Sequence, residues 1–154
     1  SKEPCLKQML DIYDEYQSTI IGVQPVPDDD ICKYGIIDCV KEAERVYKVN
    51  DLVEKPDRDT APSNIAILGR YIISPRIFEF LENAQPGKNG EIQLTDALKK
   101  LAAVENVYAY NFIGDRYDVG NKIGYLKAMV ELALKREDLK DEFLTYLKNI
   151  VKDK

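Results

Sequence analysis

Five short runs rich in β-branched and aromatic residues, set among segments of helical spacing, decide most of what this chain can fold into. They are Thr19–Gln24, Tyr34–Cys39, Val46–Val53, Asn64–Ile73 and Val107–Ile113. Each is short enough for a strand, and each is bounded by Pro, Gly, Asp or Ser. Between and around them apolar residues recur at helical intervals. Leu6, Met9, Leu10, Tyr13 and Tyr16 predict a helix over about residues 4 to 17. Ser74-Pro75 supplies an N-cap and a first-turn proline for a short helix marked by Ile77, Phe78 and Leu81. A further helix is predicted over Thr95–Ala103, and two amphipathic ones close the chain over Asn121–Arg136 and from Leu139 to Val151. Strands and helices alternate at first and then the pattern loosens. That spells α/β with a mixed sheet rather than a plain βαβ repeat. At 154 residues the chain fits a single domain, residues 1–154. It opens on a helix where a doubly wound sheet carries its first strand and nucleotide loop, so it looks cut from something longer.

Three corners of this pattern carry groups suited to chemistry. Val53-Glu54-Lys55-Pro56 ends a strand, and strand ends are where α/β sheets place ligands. A carboxylate there accepts from sugar hydroxyls, and an ammonium neutralises a phosphate. Pro56 biases Lys55 towards an extended backbone. The same tripeptide also serves simply to end a strand on the surface. Tyr117–Val119 reads as a short strand or extended segment, and Asp118-Val119-Gly120-Asn121-Lys122 puts an aspartate before a helix that Asn121 can cap. It reads either as a metal or phosphate corner or as a plain turn. In Glu91–Asp96, Thr95 or Asp96 can cap the following helix, which is the structural reading. Gly35 and the Ala66–Gly69 stretch fit close backbone approach to a ligand or tight packing alike. Gly87–Gly90 is a loop and does not match the Walker phosphate motif.

Composition removes other classes. Histidine is absent, which excludes His-built zinc sites, Ser-His-Asp triads and His general bases within this chain. A net charge of −5 argues against a nucleic-acid partner. No apolar stretch reaches the ~18 residues of a membrane span. Cys5, Cys32 and Cys39 form no C-x-x-C pair and read as free thiols of a cytoplasmic protein.

Taken in order, five segments resemble one family. Lys33-Tyr34-Gly35-Ile36, Val53-Glu54-Lys55-Pro56, Ala61 to Tyr71, Gly90 to Ala97 and Tyr117 to Tyr125 are similar to downstream motifs of bacterial UTP–glucose-1-phosphate uridylyltransferases. The resemblance implies the carboxy-terminal part of a nucleotide-diphospho-sugar transferase (Rossmann-like) fold, acting on UTP and glucose 1-phosphate with Mg²⁺. It implies that Glu54 holds glucose hydroxyls and Lys55 neutralises phosphates as the catalytic cation. It implies that Gly35, Ala66 and Gly69 bring backbone to the sugar and that Asp118 is one of two metal-binding aspartates. The Gly-rich loop, the uracil-reading residues and the first metal aspartate of that family lie upstream of Ser1, so the chain alone is expected to show no turnover. A thymidylyl- or adenylyltransferase is the alternative within the same class. A non-catalytic module is the alternative outside it: the amphipathic closing helices, and strand edges bared in half a sheet, favour a homo-oligomer.

Overall fold

The computed structural model describes residues 3–86 and 90–152. The chain divides into two compact units, Ser1–Gly114 and Asp115–Lys154. Most of the expected Gly87–Gly90 loop lies outside the described residues.

The first unit begins with helix α1 (Cys5–Tyr16) and strand β1 (Thr19–Pro25). A 3₁₀ turn (Asp28–Lys33) leads into β2 (Gly35–Ala43), and a tight turn returns the chain as β3 (Val46–Glu54). A second 3₁₀ turn (Arg58–Thr60) precedes β4 (Ile65–Ile72). Helices α2 (Ile77–Glu82) and α3 (Leu94–Ala102) follow, and β5 (Val107–Asn111) ends the sheet. The strands run in the order β1-β4-β2-β3-β5, and β5 pairs back onto β1, closing a ring. β1 and β5 are parallel and the other pairs antiparallel, so the mixed sheet expected from the sequence is what forms.

Closure has a local cause. The β2–β3 hairpin slips register between Asp38 and Cys39 and again between Lys41 and Ala43. Each slip is a bulge that adds twist and bends the ribbon. The bend carries Val46, Tyr47 and Lys48 onto Tyr110, Ala109 and Tyr108 of β5. The sheet therefore has no bare edge among the described residues, contrary to the expectation of exposed strand edges.

β1 is buried from Thr19 to Val23 because both its faces are covered. On one side Ile21, Val23, Leu52 and Ile67 pack with Leu98 and Leu101 of α3. On the other, Ile20 and Tyr108 meet Met9 of α1. That two-sided burial is why β1 reads as a continuous apolar run instead of alternating. Met9 is fully enclosed, and Met9→Ala would cost ~2–5 kcal/mol. The stripe read on α1 is only half right: Leu6 and Leu10 face solvent, while Cys5, Ile12, Tyr13 and Tyr16 pack inward beside Met9.

Near its end the first unit is tied down by three side chains. Gln8 accepts from the Ile113 N–H at 2.8 Å and donates to the Ile113 carbonyl at 2.9 Å. Gln24 donates to the carbonyls of Phe112 and Gly114, and Arg45 to that of Asn111.

The second unit holds α4 (Lys122–Lys135) and α5 (Lys140–Lys152). Asn121 caps α4 as its sequence suggests, accepting from the Gly124 N–H at 2.7 Å. Tyr117–Val119 forms no strand. The apolar stripe read on α4 is not enclosed: Ile123, Leu126, Met129 and Leu132 are each more than half exposed. No helix among the described residues is long and apolar enough to cross a membrane.

Candidate functional site

The start of β2 and the end of β3 lie side by side, because Gly35 pairs with Glu54 across the hairpin. β2 meets β4 through Ile36 opposite Ala66, and Ala66 in turn faces Gln24 near the carboxyl end of β1. Gly35 and Ala66, at the starts of β2 and β4, and Glu54, at the carboxyl end of β3, are thus gathered at one rim of the ring of strands. Ser63 fastens this junction: its hydroxyl donates to the Ile37 carbonyl at 2.7 Å and accepts from the Ile65 N–H at 3.0 Å. Val26, Ile31, Ile36 and Ala66 form a small apolar floor beneath it.

Glu54 is the most constrained group in this corner. One carboxylate oxygen, Oε2, accepts from the Thr95 hydroxyl at 2.6 Å. The other, Oε1, lies 3.9 Å from the Lys55 ammonium. Thr95 is buried in the first turn of α3, whose helix end carries no side-chain cap at all. The expected capping by Thr95 or Asp96 is therefore not what forms; Gln93 takes the cap position, and the Thr95 hydroxyl is spent on Glu54 instead. Only a docked α3 joins Thr95 to a residue 41 positions away, so nothing local in the chain marks the pair.

Gly35 is explained by the same contact. A Cβ at this position would stand 3.0 Å from Glu54 Oε2, 3.2 Å from Ile67 Cδ1 and 3.2 Å from the Thr95 hydroxyl oxygen. The position is crowded by a carboxylate and its donor. Burial pushes the Tyr71 phenol above its ordinary value, and the negative charge of Glu54 adds to the push.

Lys55 departs from expectation. Its φ is +46°, in the left-handed region, instead of the extended backbone that a following proline favours. Its N–H donates to the Tyr34 carbonyl at 3.0 Å, which continues the hairpin one residue past the strand and turns the chain. A non-glycine residue held left-handed costs roughly 1–3 kcal/mol and is seen mostly where surroundings enforce it.

Gly69 stands apart from this corner, three residues further along β4. The β1–β4 register shifts between Ile21 and Val23, and Gly69 takes φ +69° inside that irregularity. No atom lies within 4 Å of where its Cβ would be, so backbone conformation and not crowding calls for glycine there.

Elsewhere the ends also differ from the sequence reading. Ser74 does not cap α2; the helix starts after Arg76, and the Ser74 hydroxyl accepts from the Arg76 N–H at 3.3 Å in the turn before it. Cys5, Cys32 and Cys39 are free thiols. Burial pushes Cys5 and Cys39 above the ordinary thiol value.

In the second unit, Asp118 is exposed, and its Oδ1 accepts from the Gly120 N–H at 3.0 Å. The segment before it is laid on α4: Lys135 donates to Asp115 at 2.7 Å and to the Tyr117 hydroxyl at 3.2 Å, while Tyr117 donates to Glu131 at 2.7 Å. The Asp115 carboxylate and then the Tyr117 hydroxyl hold the Lys135 ammonium well above its ordinary value. Among the described residues no three acidic, cysteine or histidine groups assemble into a metal cage. Asp118 suits a single carboxylate ligand to a hard cation that keeps most of its water.

Comparison with known proteins bears on the family and the fold. The family described as nucleotidyl transferase matches residues 2–135. A UTP–glucose-1-phosphate uridylyltransferase of Staphylococcus saprophyticus is 47% identical over 150 residues, covering 97% of this chain and 52% of that protein. Its counterpart in Bacillus subtilis is 46% identical over 151 residues, 98% of this chain and 52% of that one. A UDP-glucose pyrophosphorylase solved with UDP-glucose superposes with a TM-score of 0.82 at 45% identity, over 86% of this chain and 50% of that chain. One from Acinetobacter baumannii gives 0.85 at 35% identity, over 97% and 52%. The chain spans about half the length of the relatives it matches. Because the family match runs unbroken through the ring of strands and into α4, the chain belongs to the nucleotidyl transferase family.

Proposed function

We propose that this chain is the sugar-phosphate-binding part of a nucleotidyltransferase that makes UDP-glucose and pyrophosphate from UTP and glucose 1-phosphate. The observation that carries the reading is the Glu54 carboxylate, fixed by Thr95 on one oxygen and set beside the Lys55 ammonium on the other. That pair offers a directed acceptor for sugar hydroxyls next to a cation for phosphate. Gly35 and the backbone at Ala66 line the sugar side, while Gly69 lies further along β4.

The reaction asks for no general base. A phosphate oxygen of glucose 1-phosphate, already anionic near neutral pH, attacks the α-phosphorus of UTP. A P–O bond forms as the bond to the β-phosphate oxygen breaks, and pyrophosphate leaves with the electron pair. Catalysis of this kind rests on alignment and on neutralising charge, and Lys55 supplies part of the second. Mg²⁺, when bound, supplies further neutralisation, and Asp118 is the carboxylate of this chain assigned to it. Because Asp118 belongs to no group of three or more metal-ligating side chains among the described residues, the 154 residues by themselves are expected to bind substrate without turnover. The three free thiols fit a cytoplasmic setting.

Isothermal titration of glucose 1-phosphate into the chain tests the sugar site. Binding that disappears in Glu54→Gln and Lys55→Ala, with unchanged circular dichroism, supports it; variants that bind like the parent refute it. For Asp118, Mn²⁺ should broaden the amide signals around residues 117–121, and Asp118→Asn should abolish that broadening. Equal broadening in the variant removes Asp118 from the site.

A second reading, self-association into a homo-oligomer, is favoured by the α4 stripe, where Ile123, Leu126, Met129 and Leu132 remain more than half exposed. Sedimentation showing a monomer at all concentrations up to the millimolar range would dismiss it.

A further inference from the structure

We infer that Thr95 is a positioning residue for sugar selection: its hydroxyl fixes one carboxylate oxygen of Glu54 and so sets the direction in which the other meets the sugar. This rests on the reading that Glu54 receives sugar hydroxyls.

A glutamate side chain has three rotatable bonds, and a partly exposed one samples several rotamers, so that fixing it costs entropy. Here the fixing is done in advance. Thr95 is buried at 7% exposure, and its β-branched side chain is stiff at χ1. It stands on α3, which Leu98 and Leu101 anchor in the main core. The donor is therefore itself immobile, and its 2.6 Å contact has the length of a charge-assisted O–H···O⁻ bond. Gly35 completes the enclosure, since any side chain there meets both partners of the bond. With one acceptor site of Oε2 taken by Thr95 and its surroundings crowded at Gly35, Oε1, turned towards Lys55, is the less engaged oxygen. A hydroxyl donor meets that oxygen in a fixed direction. Such pre-organisation tightens binding by removing an ordering cost and sharpens discrimination between hydroxyl stereochemistries.

The test compares glucose 1-phosphate, galactose 1-phosphate and inorganic phosphate as ligands of the full chain, in the parent and in Thr95→Val, Thr95→Ser and Glu54→Gln. Thr95→Val keeps shape and removes the donor. It is expected to weaken glucose 1-phosphate about tenfold or more, since bonds to charged groups contribute ~1.5–3 kcal/mol. Binding of inorganic phosphate should hold within about twofold, and the preference for glucose over galactose 1-phosphate should shrink. Thr95→Ser keeps the hydroxyl and should retain the parent's preference. A purely structural bond would lower stability without moving the ratio between ligands. Thr95→Val with unchanged ratios, while Glu54→Gln loses them, overturns the role of Thr95 and leaves the sugar site standing. Glu54→Gln with unchanged ratios overturns the sugar site and this inference together. If Thr95→Val fails to fold, Thr95→Ala decides: a shrunken preference for glucose 1-phosphate supports the inference, and parent-like ratios overturn it.

Discussion

Lys55 offers the sharpest separation of stability from function in this chain. Its backbone is left-handed at φ +46°, and its ammonium is only 3.9 Å from Glu54 with more than half of the side chain exposed. An L-residue in that region loses roughly 1–2 kcal/mol to the clash of its Cβ with the backbone. Lys55→Gly removes the clash, and the greater freedom of glycine in the unfolded chain returns ~0.5–1 kcal/mol. The balance is a gain of about 0.5–1 kcal/mol, or roughly 2–5 °C in Tm for a unit of this size. Lys55→Ala keeps the strain and loses only an exposed ion pair, worth at most a few tenths of a kcal/mol after solvent screening. Lys55→Val adds a β-branch where none fits and should lose ~1 kcal/mol or more. The expected order is Gly above Lys and Ala, with Val lowest. Urea unfolding followed by tyrosine fluorescence measures it, the chain having ten tyrosines and no tryptophan. All three variants lose the cation and should lose glucose 1-phosphate affinity, including the stabilised one. Valine as stable as glycine, or glycine less stable than alanine, would refute the account of strain.

Gly35→Ala pushes a methyl to within 3.0 Å of Glu54 Oε2, so it should cost ~1–3 kcal/mol by overpacking and lower glucose 1-phosphate affinity; a melt and a titration identical to the parent would count against it. Iodoacetamide at about pH 8 should label exposed Cys32 well before Cys5 and Cys39, whose thiols burial holds protonated; mass spectrometry showing equal rates would contradict that. For Asp51, burial opposes ionisation, but the bonds from Lys99 and from the Leu52 N–H win and hold its carboxyl below the ordinary 3.8. Its contribution is therefore present above that value and lost as pH falls through the depressed one, so the stability gap between the parent and Asp51→Asn should be flat above about pH 5 and close below pH 4. It should amount to no more than ~0.5 kcal/mol because the pair is exposed, and a gap that widens as pH falls would reverse the assignment.

What could be read from the chain and what could not divide along physical lines. β1 was legible because burial on two faces writes a continuous apolar run directly into sequence, and β2 to β5 because they are short β-branched and aromatic runs between turn residues. Glu54 and Lys55 were legible as a strand-end pair, and Asn121 as a cap, since each depends on immediate neighbours. The handedness of Lys55 was not: a proline rule that holds locally was overridden by the bond to Tyr34, which only the hairpin supplies. Thr95 was mistaken for a cap because helix ends attract threonine, whereas its partner is set by where α3 docks. Leu6 and Leu10 fit the helical period and still face water, because Met9 and Tyr13 turn a different stripe of α1 to the sheet. Ring closure depends on bulges whose register no periodicity announces.

That closed ring also governs the order of events as the chain is synthesised. The β2–β3 ribbon and the β1–β4 pair join residues at most a few dozen positions apart and can begin to form early. β2 meets β4 through a single pair, and β5 then completes two further seams at once, meeting β1 from Thr19 onward and β3 from Val46 onward. Until residues 107–111 leave the ribosome, β1 and β3 each present an unsatisfied ladder to whatever is nearby. The nascent chain is thus most vulnerable to mispairing in the interval before its last strand arrives, and it is slow to finish because that strand must search across the longest separation in the sheet.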